Sequence, residues 1–357
     1  MKVAVLGSGN GAHAVAFDFA RAGHDIYMCD FEMFPVGISA IAKQGGIYAE
    51  GEMEGFQKVA YAGHDFEVAV KDADVVMVVA TGNATELFAE ACKPYVKAGQ
   101  MFIICPGSCF GSVVFKTTLG YDLEDDSIVV AETSTLPYAA RIVEPGRVTI
   151  PNRLKGGYWI AGVPKSTTKK AHDFITTVYT KMDAAKSVIQ TSLQNGNPAI
   201  HPAVMLSNVA RTENQLPWLF YHDGVTTGVG RIIRAVDMER IAIGRACGVE
   251  VMDEPTCGYV QGYMYDKTYD VGYAKAPGFA GIMAPNTTDH RYFNEDVNGL
   301  CLWEDMGKYL GVPTPAISTV INMSNIVRDV DYRAIMTKSV SSLGLDVFPA
   351  EELGERI

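Results

Sequence analysis

The chain has 357 residues, 48% of them hydrophobic and 20% charged, the proportions of a globular protein large enough for two domains. Disorder is excluded as its main condition. Lys and Arg number 30 against 41 Asp and Glu, a formal charge of −11 that repels nucleic-acid phosphates and anionic lipid. The longest apolar stretches, such as Ala73–Ala80 around Asp74, fall far short of the roughly 18–20 residues of a membrane span. Met1-Lys2 leads straight into a short apolar run and a glycine turn, without the longer apolar region of a secretory signal. No nucleic acid, no membrane and a cytoplasmic location are therefore expected.

The chain opens with a β-branched strand, Lys2–Leu6, then Gly7-Ser8-Gly9-Asn10-Gly11-Ala12, then a helix carried by Ala14, Val15, Phe17, Ala20 and Ala22 to Gly23. A second strand, Asp25–Cys29, ends at Asp30, 21 positions beyond Gly9. Strands follow at Val75–Val79, Met101–Ile104 and Ile128–Ala131, with helical patterns between them such as Ala84–Val96. Alternation of this kind predicts an α/β domain with a doubly wound, mainly parallel sheet, since parallel neighbours need long crossovers that helices supply. Its ligand crevice belongs beyond the carboxyl ends of the strands. Short strands at Arg147–Ile150 and Tyr158–Ala161 and a helix over Lys165–Met182 complete this domain, residues 1–187.

From Thr191 onward the patterns are helical, and residues 188–357 form a second, all-helical domain. One segment places Ile232, Ile233, Val236, Ile243 and Cys247 on one side and Arg234, Glu239 and Arg240 on the other, with Gly248 as its stop. Gly258–Gly281 reads as irregular, and helices resume at Leu302–Leu310 and Ala316–Val327. The seven cysteines, from Cys29 to Cys301, follow no disulfide-framework spacing. They are expected to be reduced and mostly buried. Only Cys105 and Cys109 lie close together; without a second Cys or His pair at ligand spacing no metal is expected.

Glycines at 7 and 9 remove Cβ atoms that would block a phosphate, the following helix points its positive end at the charge, and Ala12 keeps helix and strand close. Asp30 can accept from both ribose hydroxyls, and a 2′-phosphate there would meet a like charge and no Arg at position 31. This predicts NAD, used as NADH in preference to NADPH. Its expected contacts are Gly7, Ser8, Gly9, Asn10, Gly11, Ala12 and Asp30, with Ala80 and Pro106 beyond the third and fourth strands. The bland alternatives are a purely structural glycine turn and a solvated Asp30.

Of seven histidines, His13, His24, His64 and His172 suit packing or solvent, which leaves His201, His222 and His290. His201 precedes Pro202, so it is expected just before a helix starting at Pro202, facing a crevice, with capping or packing as the alternative. Arg291-Tyr292-Phe293-Asn294-Glu295-Asp296 supplies a guanidinium for a substrate carboxylate and a carboxylate for an imidazole. Surface-charge and helix-cap roles stay open for both.

The chain resembles the opine dehydrogenase family nearly end to end. The resemblance covers Val5 to Ala14, Lys71-Asp72-Ala73-Asp74-Val75, Glu132-Thr133-Ser134 leading to Arg141, and Thr191-Ser192-Leu193 with His201-Pro202. It continues through Asp237 to Ile243, Arg291 to Asp296 with Gly299-Leu300, and Val312-Pro313-Thr314-Pro315. It implies an N-terminal Rossmann domain, a C-terminal helical domain, and a catalytic His201–Asp296 pair with Arg291 on a carboxylate. It also implies that an α-keto acid and an amino acid condense and that NADH reduces the imine to a secondary amine. Ser134 and Asn197 are assigned to substrate. Because Ser134 and Thr135 offer hydroxyls but no charge before Leu136-Pro137, a neutral, mainly apolar amino acid is expected. Glu132 is the weak point, since it could turn inward. The partners are thus small molecules, and a homodimer is left open. The rivals are a 2-hydroxy-acid or ketopantoate-type reductase, and a non-catalytic NAD-binding protein. The stretch from Thr191 to Glu213 holds no lysine to serve the first as proton donor.

Overall fold

The computed structural model describes the backbone of residues 1–357 and every side chain but that of Glu351. Two compact units are present: Met1–Leu154 with Tyr158–Ser192 and Glu355–Ile357, and Lys155–Gly157 with Leu193–Gly354. Among the described residues no helix is long and apolar enough to cross a membrane.

The first unit contains twelve strands. They are β1 (Lys2–Leu6), β2 (Asp25–Cys29), β3 (Gly46–Gly51), β4 (Gly55–Lys58), β5 (Tyr61–Gly63), β6 (Val75–Val78), β7 (Met101–Ile104), β8 (Val129–Thr133), β9 (Tyr138–Glu144), β10 (Arg147–Arg153), β11 (Trp159–Val163) and β12 (Asp183–Ala184). Eight form a sheet in the order β12-β11-β8-β7-β6-β1-β2-β5. All neighbours in it are parallel except β8 and β11. Every residue of β6 and β7 is buried, as are Val3 to Leu6 of β1. That is why these strands read as unbroken apolar runs: helices cover both faces of a parallel sheet. Phe88, Ala89 and Cys92 from one helix and Phe115 and Leu119 from another pack on Val76, Phe102 and Ile104. Chain order reverses between β1 and β6, which makes the carboxyl ends of those two strands the switch point where such sheets hold ligands.

A second sheet, β4-β3-β10-β9, was not expected from the sequence. It joins β3 and β10 in parallel and flanks them with antiparallel β4 and β9. The expected helix over Lys165–Met182 is also shorter, Thr168–Ile175. The hydroxyls of Thr176 and Thr177 donate to the carbonyls of His172 and Phe174, offering the backbone an alternative to the helix.

In the second unit the helix Asn197–Ser207 packs against Thr227–Ala246, Asp296–Leu310 and Pro315–Arg328. The amphipathic reading of Thr227–Ala246 needs correcting, because Arg240 is fully buried and Ile232 is exposed. Arg240 forms an ion pair with Asp237 at 2.6 Å and donates to the carbonyls of Leu193 and Met252. Each guanidinium nitrogen thereby has a partner, Nε donating to Asp237, the condition under which a buried guanidinium is tolerated. Glu239, on the same helix, accepts from the N–H groups of Ala316 and Ile317 at 2.8 and 2.9 Å, capping the helix Pro315–Arg328 from outside.

Candidate active site

In the first unit, Gly7 follows β1 with φ +111°, and a Cβ there would lie 2.4 Å from the carbonyl oxygen of Val79. Only glycine fits this bend. At Gly9 a Cβ would meet nothing within 4 Å, so the backbone there is open to a ligand. The helix Asn10–Arg21 that follows has neither a side-chain cap nor an acidic residue in its first turn. Its leading N–H groups are oriented and uncapped, which suits a pyrophosphate. Gly11 is held close by Leu136 and Val79, and Ala12 is buried.

Asp30 lies directly beyond β2 and is 6% exposed. The Ser8 hydroxyl donates to its Oδ2 at 2.6 Å and the Phe31 N–H to Oδ1 at 2.8 Å, fixing the carboxylate while leaving each oxygen a further acceptor site. Two of the expected cofactor contacts thus have side chains engaged within the protein: Ser8 orients Asp30, and Asn10 accepts from the Ile142 N–H at 2.7 Å. Ala80 and Pro106, both half-buried, stand beyond β6 and β7, on the same edge of the sheet as Gly7 and Asp30. These residues fit a dinucleotide, with its phosphates at the turn and a ribose at Asp30.

Ser134 lies where the sheet ends. Placed on substrate by the sequence reading, it is 2% exposed, its hydroxyl accepts from the Trp159 N–H at 3.0 Å, and its N–H donates to the Trp159 carbonyl. The reason is positional: Ser134 continues β8 beside β11. Glu132 is turned inward. Fully buried, its Oε2 accepts from the Ser112 N–H and hydroxyl, and its Oε1 from the hydroxyls of Thr191 and Ser192.

In the second unit His201 and Asp296, 95 positions apart, meet with Nδ1 and Oδ2 at 2.7 Å, each 3% exposed. The expected start of the helix at Pro202 needs correcting, because the helix runs Asn197–Ser207 with both His201 and Pro202 inside. Pro198 occupies the first turn, where a missing N–H costs nothing. Pro202 then removes one internal bond, while Ala199, Ile200, Ala203, Val204 and Met205 are buried around it and their packing holds the helix. His201 is therefore enclosed rather than facing an open crevice. Asn197, half-buried, is the first residue of this helix. Asp296 opens the helix Asp296–Leu310, where the macrodipole favours a carboxylate.

The short helix Arg291–Asn294 precedes it, capped by His290. It sets the Tyr292 ring against the His201 imidazole at 3.9 Å between centroids with a 30° tilt, while the exposed Arg291 guanidinium lies 4.8 Å from the centre of the Tyr292 ring. Phe220 meets the imidazole edge-on at 5.5 Å. Tyr221 Oη lies 3.3 Å from His201 Nε2. Tyr221, Phe220 and the role of Tyr292 were missed by sequence reasoning, although Trp218-Leu219-Phe220-Tyr221-His222 is an aromatic run in a segment without helix periodicity. The other candidates are accounted for: His222 donates to the Ala276 carbonyl at 3.0 Å, and His290 accepts from the Tyr292 N–H.

Burial, reinforced by Arg291, holds the His201 imidazole well below its ordinary pKa, with Glu295 opposing. Burial pushes the Asp296 carboxyl up to about 7 against the pull of Arg291 and His290. Both shifts disfavour separated charges. Burial thus disfavours a charged imidazole; the tautomer with Nδ1–H donating to Asp296 and Nε2 an acceptor is the state required of a base.

Residues 184–328 match the family model of the NAD/NADP octopine/nopaline dehydrogenase α-helical domain. The chain is 32% identical over 351 residues to an opine dehydrogenase of Arthrobacter sp. (strain 1C), covering 96% of this chain and 94% of that one. A solved octopine dehydrogenase in complex with NADH and agmatine superposes with a TM-score of 0.77, covering 96% of this chain and 94% of that chain, at 18% identity. A ketopantoate reductase from Ralstonia eutropha shares the fold less closely, with a TM-score of 0.59 at 19% identity over 92% of this chain and 99% of that one. Full-length identity to an opine dehydrogenase and the helical-domain match decide between these: the chain belongs to the opine dehydrogenase family of NAD-dependent oxidoreductases acting on CH–NH groups.

Proposed function

We propose that the chain joins a pyruvate-like α-keto acid to the amino group of a neutral, mainly apolar L-amino acid, with His201 and Asp296 moving the proton and Arg291 holding a carboxylate. The observation that carries this reading is the buried His201–Asp296 hydrogen bond at 2.7 Å beside Arg291. Among the described residues the guanidinium makes no ion pair, and it can receive a carboxylate bidentately. Residues 1–187 carry NAD at Gly7–Ala12 and Asp30, with Ala80 and Pro106 beside them; residues 188–357 carry the proton-transfer groups. NADH, when bound, supplies the hydride that reduces the imine.

His201 Nε2, unprotonated at rest, takes a proton from the attacking ammonium as the amine is released for addition. It returns one as the carbinolamine hydroxyl leaves as water. Asp296 stabilises the imidazolium formed between these steps, and Arg291 neutralises a substrate carboxylate that would otherwise be desolvated unpaired. The preference for a neutral amino acid is supported by Glu132, whose two oxygens already accept four hydrogen bonds and are not left for a guanidinium. Asp30 supports NADH over NADPH by like-charge repulsion of a 2′-phosphate.

Following NADH oxidation with pyruvate tests the reading. Turnover should require an amino acid, and kcat/KM for norvaline, methionine and phenylalanine should exceed that for arginine and lysine. Turnover of the keto acid alone would point to carbonyl reduction instead, and a preference for arginine would defeat the amine assignment.

A further inference from the structure

The His201 imidazole is 3% exposed, with a neighbour at each ring nitrogen, on one face and on one edge. Tyr292 lies against one face at 3.9 Å, Phe220 against an edge, and Asp296 on Nδ1. The remaining nitrogen, Nε2, faces Tyr221 Oη at 3.3 Å. A base that exchanges protons with substrate therefore either loses Tyr221 from this position or works through it.

The packing of Tyr221 decides between these. Its ring is stacked on Phe279 at 4.2 Å between centroids and 17°, and meets Phe220 edge-on at 4.9 Å. Tyr273 is stacked parallel at 6.1 Å from it, and Phe279 is itself backed by Tyr263 at 5.1 Å. Moving the ring would break several aromatic contacts of about 0.5–1.5 kcal/mol each, whereas passing a proton through its hydroxyl moves no heavy atom far. We infer that Tyr221 is a catalytic residue, the proton-conducting group between His201 Nε2 and the substrate. This rests on the role proposed above for His201 and extends it by one residue.

The transfer balances without another reactant. In opine formation the Nε2–H bond of the imidazolium breaks as an Oη–H bond forms, and the original Oη–H bond breaks as its proton joins the departing carbinolamine hydroxyl, which leaves as water. In the oxidative direction both transfers reverse: water adding to the iminium carbon gives a proton to Oη as the carbinolamine C–O bond forms, while the original Oη proton passes to Nε2. Tyr221 ends each transfer as a neutral phenol, so no buried phenolate accumulates. Burial raises the Tyr221 phenol well above its ordinary pKa, in keeping with a donor that stays protonated. Arg291, Glu295, Asp296 and the titratable His290 act on the His201–Tyr221 pair, with the phenols of Tyr292, Tyr263 and Tyr273 beside it.

Tyr221→Phe keeps the ring stack and removes only Oη. Its kcat should fall roughly 10–100-fold, less than the roughly 10²–10⁴-fold for losing a general acid–base group outright because His201 remains, with KM for the keto acid changed by less than about threefold. The limb of the kcat/KM profile belonging to His201 should move to higher pH, because an O–H donated to Nε2 favours the unprotonated imidazole. A proton inventory in mixed H2O and D2O, run on the unsubstituted enzyme, supplies a readout that does not depend on how the variant folds: a bowed plot reports two protons in flight. A linear inventory, or a Tyr221→Phe enzyme with unchanged kcat and pH profile, overturns the inference. Measuring His201→Asn in parallel separates the two levels. An inactive His201→Asn beside a fully active Tyr221→Phe removes only Tyr221, while an active His201→Asn removes the proposed base itself.

Discussion

The turn at Gly7–Ala12 is made of backbone, whereas the His201 centre is made of side chains, and the two respond to substitution by different rules. At the turn, what a ligand would meet is N–H groups and the absence of Cβ atoms; the side chains of Ser8 and Asn10 are turned to the protein itself. Around His201 each atom proposed to work belongs to a side chain: Nε2, the Asp296 carboxylate, the Tyr221 hydroxyl and the Arg291 guanidinium. A backbone site fails when atoms are added, and a side-chain site fails when atoms are taken away.

The largest effect expected from that contrast is a removal. His201→Asn should lower kcat by roughly 10²–10⁴-fold, the loss associated with a general acid–base group, while NADH binding measured by fluorescence stays within about twofold. Asp296→Asn should cost less, since the imidazole remains and only its stabilised charge is lost. Next comes an addition, made at two glycines that differ in one respect. Gly7→Ala should destabilise the fold by roughly 1–3 kcal/mol from backbone strain alone, and further through the overlap with Val79. Gly9→Ala, with open space at its Cβ, should leave stability within about 0.5 kcal/mol and weaken NADH binding by about tenfold, equivalent to about 1.4 kcal/mol. Thermal melts and NADH titrations of both variants check the pair; equal NADH affinity in Gly9→Ala and the parent would break the reading of the turn as a phosphate cradle.

The same contrast explains what the sequence could and could not reveal. Local features carry the dinucleotide turn: strand, glycines, helix and Asp30 all fall within 30 residues, so spacing alone exposes them. The parallel sheet was legible for a similar reason, since buried strands such as β6 and β7 are unbroken apolar runs. The second sheet was not. In β3, Ile47 and Ala49 are buried while Tyr48 and Glu50 are exposed, a period-two pattern that was present but short and bounded by glycines. Its partner β10 pairs with it 99 positions away, Arg147 opposite Tyr48, and no local rule links such segments. His201, Arg291 and Asp296 emerged as a shortlist from chemistry, and family resemblance tied them together. The aromatic enclosure was missed because ring packing at 3.9–4.2 Å depends on how helices and loops pack rather than on any spacing. Arg240 was misread for a related reason. Helical periodicity places a charge on the outer face by default, and only the carbonyls of Leu193 and Met252, brought from other segments, allow it inside.

Asp30 is intermediate between the two kinds of site, a side chain positioned by backbone and by Ser8, and its effect should be intermediate too. Asp30→Ala should reduce kcat/KM for NADH roughly 10–100-fold, the equivalent of one charge-assisted hydrogen bond of about 1.5–3 kcal/mol. The value for NADPH should hold or rise, as the like charge opposing a 2′-phosphate is gone. Initial rates with both cofactors test this, and better use of NADPH by the unsubstituted enzyme would contradict the assignment.

The smallest effect is expected at Ser134, and it separates a residue that holds the sheet from one that holds substrate. Its hydroxyl accepts from the Trp159 N–H at 3.0 Å, and its own N–H reaches the Trp159 carbonyl at 2.9 Å, so it finishes the pairing of β8 with β11 where the ladder ends. Ser134→Ala keeps the backbone bond and leaves the Trp159 N–H without its acceptor in a buried setting. An unmet buried donor costs about 1–3 kcal/mol, offset in part if the N–H finds water, so a stability loss near the lower end is expected in a denaturant titration. Kinetics should be silent: KM for the amino acid and for pyruvate should each stay within about twofold, because no substrate group depends on this hydroxyl. The opposite pattern, unchanged stability with KM for the amino acid raised about tenfold, would place Ser134 among the side-chain groups that handle substrate and would carry that kind of site into the first unit.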